Sequence, residues 1–132
     1  MNYHVVEINN KQYRFRLLGI KGPELEKLKG NILEYVMTES MEMCINLFQY
    51  TLINDKEVTF EEAASLYDEF VNAGWSKKRI VTDIIYETLV VSGFLEKEEW
   101  EQIKKESQEY VKIVETEKQK LIDELKTKPL KK

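Results

Sequence analysis

At 132 residues the chain has room for one domain with an appendage, and its 42% apolar and 33% charged residues suit a soluble, helix-rich protein with a modest core. The net charge of -4 argues against broad nucleic-acid binding, which relies on a basic face to neutralise phosphates. No apolar run approaches a membrane span, and MNYHVVEINN lacks the basic-then-apolar pattern of a signal peptide, so neither secretion nor membrane insertion is expected.

The stretch Tyr3 to Leu17 predicts a β-hairpin, because Asn9-Asn10 supplies two residues that tolerate positive φ in a two-residue turn. Pairing across it sets Val6 opposite Tyr13 and His4 opposite Phe15. Ile8 and Leu17 share that apolar face, while Glu7, Gln12, Arg14 and Arg16 lie on the other. A hairpin this short must pack on something.

Gly19 and Gly22-Pro23 punctuate the chain, with Pro23 suited to a first helical position. Leu25 and Leu28 are expected to face inward on a short helix that stops near Gly30. Ile32, Leu33 and Val36 then continue an apolar stripe toward Met37. Glu39 or Ser40 opens the next helix, with Met41, Cys44, Ile45, Phe48 and Leu52 recurring at helical spacing until Asn54-Asp55.

Thr59-Phe60-Glu61-Glu62 reads as a capping box for a helix with Ala63, Leu66, Tyr67 and Phe70 inward. Gly74 is its left-handed stop, and Ser76 caps a further helix with Ile80, Val81, Ile84 and Leu89 inward. Gly93 ends that helix and Phe94 folds back onto it. Two segments result, 1–95 as a hairpin plus helical domain and 96–132 as a charged amphipathic helix. Along the second, Trp100, Ile103, Ser107, Tyr110, Val114, Glu117, Leu121 and Leu125 fall mostly at heptad-like spacing, before a frayed tail from Thr127 to Lys132. The expected fold class is α+β and mostly α: a short N-terminal hairpin packed on helices, with a long projecting C-terminal helix.

Reactive groups are scarce. Cys44 is the only cysteine and His4 the only histidine, so a disulfide within the chain or a Cys/His zinc site cannot be built. His4 reads as a partly packed strand residue and Cys44 as an inert core thiol. Asp68-Glu69 and Glu98-Glu99 are helix neighbours that point apart, which suits solvated faces better than an acid-base pair. No catalytic residue, cofactor or metal is expected. Two helices flanking Ala73-Gly74-Trp75, with Lys77-Lys78-Arg79 opening the second, also suggest a helix-turn-helix DNA reader. The acids Glu61, Glu62, Asp68, Glu69, Asp83 and Glu87 weigh against it.

Taken in order, VVEINNKQYRFRL, LEKLKGNIL, FQYTLIND, TFEEAASLYDEF, NAGW and ETLVVSGFL make Val5 to Leu95 resemble the tail assembly chaperones of long-tailed bacteriophages, of the type found in phages and prophages of Gram-positive bacteria. The resemblance implies a protein without enzyme activity that binds the tape-measure protein in the bacterial host cytoplasm. It keeps that partner soluble while tail-tube subunits polymerise, then leaves, and is not expected in the mature virion. It also implies a minor frameshifted form, for which Lys131-Lys132 marks a candidate slip site. The helix after Leu95 lies outside the matched motifs. Amphipathicity alone places partner binding on Trp100, Ile103, Tyr110, Val114 and Leu121, with the tape-measure protein as leading partner. The tail tube protein or a second copy of the chain are further partners, and neither nucleic acid nor membrane is expected. The alternatives are a DNA-binding regulator using Lys77, Lys78 and Arg79, and a structural head-tail component.

Overall fold

The computed structural model describes residues 2–127, with side chains for residues 2–106 and 115–125. It is mostly helical with a short antiparallel N-terminal sheet, an α+β arrangement dominated by α. Two units are distinguished, Met1–Glu96 and a second that begins at Lys97.

Strands β1 (His4–Ile8) and β2 (Lys11–Phe15) pair in the expected register, His4 with Phe15 and Val6 with Tyr13. Asn9 and Asn10 adopt φ of 50° and 64°, so both turn residues are left-handed, as a twisted two-residue hairpin loop requires. Val6, Ile8, Phe15 and Leu17 are buried, and Glu7, Gln12 and Arg14 are exposed.

Helices α1 (Lys21–Lys29) and α2 (Ile32–Met37) meet at Gly30-Asn31, where the Asn31 side chain accepts from the Glu34 N–H at 3.0 Å. Pro23 sits third in α1 rather than first, still inside the turn whose N–H groups have no helical partner. Leu25 is buried, but Leu28 is 65% exposed. The inward arc is centred on Gly22 and Leu25, and Leu28 lies about 120° around the helix from Gly22.

Helix α3 (Met41–Thr51) starts at Ser40, whose Oγ accepts from the Met43 N–H at 3.0 Å. Its buried residues are not one stripe. Every residue from Met43 to Phe48 is buried, while Met41, expected inward, is exposed. The helix also stops short of Asn54. Leu52 bridges to Phe15, with Arg16 N donating to Thr51 O at 2.8 Å and Ile53 N to Arg14 O at 2.9 Å. The chain leaving α3 thus adds a single bridge along the other edge of β2.

Helix α4 (Phe60–Asn72) buries the four residues that its periodicity selects, Ala63, Leu66, Tyr67 and Phe70. Thr59 Oγ1 accepts from Glu62 N at 3.1 Å and faces the Glu62 carboxylate at 3.3 Å, so the carboxylate meets the Thr hydroxyl. Gly74, at φ 98°, ends the helix, and Trp75 N returns to Phe70 O at 3.0 Å. The same device recurs at Gly93 (φ 81°), where Phe94 N reaches Leu89 O at 2.9 Å.

Between these stops runs one helix in three parts: α5 (Lys77–Ile80), a π-helical segment (Val81–Tyr86) and α6 (Glu87–Val91). The expected regular helix is therefore wider in the middle, with Ile85 and Tyr86 buried beside Val81 and Ile84. Thr88 and Ser92 turn their hydroxyls back to the carbonyls of Ile84 and Thr88, each at 2.6 Å. Ser92 Oγ also accepts from Leu17 N at 2.8 Å, which ties the hairpin to the helix end.

The core centres on Phe48, whose ring lies 5.4 Å from Phe15, 5.6 Å from Phe70 and 6.4 Å from Tyr67. One aromatic each from β2 and α3 and two from α4 thus lock three elements together. Tilted ring pairs of this kind contribute about 0.5–1.5 kcal/mol beyond their buried area.

Candidate protein-interaction site

His4 and Cys44 are both taken up in the fold. His4 Nε2 lies 2.6 Å from the carbonyl oxygen of Asp83, so that nitrogen donates to the π-helical segment. Cys44 is fully buried, and burial pushes its thiol up to about 11, far from a thiolate at neutral pH. Among the described residues no group of three or more His, Cys, Asp or Glu side chains converges closely enough to hold a metal ion. Glu69 accepts a 2.8 Å hydrogen bond from the Tyr13 hydroxyl, whereas its neighbour Asp68 is exposed; they do not act together. Burial, then the Glu69 hydrogen bond and charge, raise Tyr13 to about 12.

Two of the basic trio, Lys78 and Arg79, are engaged by neighbouring side chains. Lys78 Nζ lies 3.3 Å from Glu39, and Arg79 Nε lies 3.6 Å from Asp83 Oδ2. The Arg79 guanidinium also stacks 3.7 Å from the centre of the Trp75 ring, and that ring meets Phe70 edge-on at 5.1 Å. A groove reader needs these cations free to reach phosphates and base edges.

The second unit is helix α7 (Lys97–Thr127), 31 residues long. Of the residues expected to bind a partner, Ile103 is 40% exposed and Leu121 59% exposed. Trp100, expected to be open, is only 4% exposed, with Lys104 Nζ 5.0 Å from its ring centre. The side chains of Tyr110 and Val114 lie outside the described residues, as do the tail from Lys128 and the Lys131-Lys132 pair. Periodicity overlooked Ile122, 45% exposed, which joins Leu121 and Leu125 (73% exposed). These three lie within about 100° of the helix circumference, since residues one and four apart are offset by about 100° and 40°. They form a short apolar face.

A groove in the first unit also escaped the sequence reading. Tyr13, Leu52 and Leu66 line it together with Ser65, Glu61, Glu62 and Glu69, around an open volume of about 340 Å³. The signal that could have exposed it is simple: Glu57 to Ser76 contains five acidic residues and no lysine or arginine.

Among the described residues no helix is long and apolar enough to cross a membrane. Set against known proteins, the chain matches no family model, no curated protein and no solved structure.

Proposed function

We propose that this chain is a non-enzymatic tail assembly chaperone of a long-tailed phage or prophage, which binds and solubilises a tape-measure protein while the tail tube assembles. Such a partner is a long helical chain whose apolar stripes aggregate unless something covers them. The observation that carries the reading is the exposed apolar face of Leu121, Ile122 and Leu125 on a 31-residue helix, with Ile103 exposed nearer its start. An amphipathic helix of this kind offers anchors at three- and four-residue steps to another helix. The ordered motifs from Val5 to Leu95 give the reading its family. Moderate contacts spread along a helix also suit release when tube subunits arrive, because exchange needs many weak contacts rather than one tight one.

Co-expression with the tape-measure protein of the same genome tests this. The wild-type chain is expected to raise the soluble fraction of that partner, and Leu121→Asp with Leu125→Asp to abolish the gain. Partner solubility that ignores the chain altogether would sink the proposal. Recovery of the chain in stoichiometric amounts from purified virions would favour a structural head-tail component instead. The DNA-regulator reading has weaker support, because Lys78 and Arg79 already face carboxylates and α4 presents an acidic surface.

A further inference from the structure

We infer that the groove between β2 and α4 is a second docking site, which takes a polypeptide segment carrying lysine or arginine beside an apolar side chain. On α4, Glu61, Ser65, Glu69, Glu62 and Leu66 fall within about 140° of one another, so they share one side of the helix. Leu66 lines the groove with Tyr13 and Leu52 at one end of that arc, and the three carboxylates lie to one side of it.

The charge is local, and Lys21 pairs with Glu57 at its start. From Glu57 to Ser76 the chain bears five negative charges and no positive one, while the remainder sums to +1. None of the ion pairs found among the described residues involves Glu61, Glu62 or Glu69. Glu62 and Glu69 instead meet hydroxyl groups, those of Thr59 and Tyr13. A surface that leaves like charges together is complementary to a cationic partner, which it steers and orients.

Geometry narrows the occupant further. The carboxylates do not converge on a point where one metal ion could sit. Glu61 and Glu69 are separated by about 12 Å along the helix axis, a span that takes roughly three to four residues of an extended peptide rather than one small ion. The apolar lining adds a place for a leucine-sized group beside them. This groove would take such a segment whatever α7 binds, so the two sites stand or fall separately.

The test is a 15N NMR titration of the full chain with two short blocked peptides, one alternating lysine and leucine, the other glutamate and leucine. The lysine peptide is expected to shift the amides of Tyr13, Leu52, Ser65 and Glu69 saturably. Its affinity should fall roughly 3- to 30-fold in Glu61→Gln/Glu69→Gln, as two exposed charge pairs are removed. Added salt should weaken it comparably. Glu61→Gln alone, which neutralises an exposed side chain, guards against a folding defect in the double variant. Equal shifts from both peptides, shifts mapping elsewhere, no response at millimolar peptide, or the same response to spermidine would each overturn the assignment.

Discussion

Helix α3 has 11 residues, and its run from Met43 to Phe48 is buried on every side, whereas α7 has 31 residues and every side chain from Glu115 to Leu125 is exposed. The first carries one charged residue, Glu42, and takes its stability from neighbours packed all round it. The second is rich in charge and gains locally. Gln102 donates to Glu106 at 3.1 Å and Gln119 to Asp123 at 3.0 Å, pairs four residues apart that each contribute about 0.2–0.5 kcal/mol. One helix is specified by its surroundings and the other largely by its own sequence. Substitutions in the two should therefore differ in scale.

The largest effect is expected at the hub of α3. Phe48→Ala removes the ring that Phe15, Tyr67 and Phe70 share and should cost about 3–5 kcal/mol in urea unfolding. A cost below about 1 kcal/mol would mean that the aromatic cluster is not the centre of the core. At the rim of that core, Gly74→Ala forces a Cβ into a left-handed conformation at φ 98° and should cost about 1–2 kcal/mol. Thermal melting measures this, and an unchanged midpoint would show that the α4 stop can be rebuilt.

Tyr13→Phe should cost about 0.5–1.5 kcal/mol by removing the hydrogen bond to Glu69. Its pH dependence has a definite sign. The folded phenol titrates near 12 rather than 10, so its contribution is whole below pH 10 and is lost as pH rises through 12. A tyrosinate absorbance titration should therefore lose a group titrating near 12 in the variant; a profile that keeps it would assign that group elsewhere. The smallest effect belongs to α7, where Leu121→Asp should change stability by no more than about 0.5 kcal/mol. If it unfolds the protein instead, that leucine is part of a core and the contrast between the helices collapses.

Local rules made much of the first unit legible. The hairpin register followed from Asn9-Asn10 and strict alternation, and the inward face of α4 from a single 3.6-residue stripe. Both glycine stops could be read because only a left-handed residue allows the return bonds to Phe70 and Leu89. What stayed hidden depends on the whole fold. Burial of α3 on all sides, with Met43 and Leu47 as core residues and Met41 outside it, comes from flanking elements that periodicity does not describe. The π-helical widening at Val81–Tyr86 and the pairing of Leu52 and Ile53 with β2 likewise arise from distant partners. On α7 the sequence marked Ile103 and Leu121 as exposed anchors but also offered Trp100, which is buried. An amphipathic stripe identifies apolar positions without saying which of them already have a cover.

The bonds that fasten the hairpin have a consequence for how the chain is made. His4 is held by Asp83, Arg16 by Val91 and Leu17 by Ser92, across 75 to 79 residues of intervening sequence. Contacts so distant along the chain form late. The earliest segment to leave the ribosome can meet α3 and α4 first, through Phe48, Thr51 and Glu69, but its last fastenings wait for almost the end of its unit. A nascent chain halted before Asp83 would lack all three of these ties, so a protease pulse during synthesis should cut its opening strands more readily than those of the finished unit.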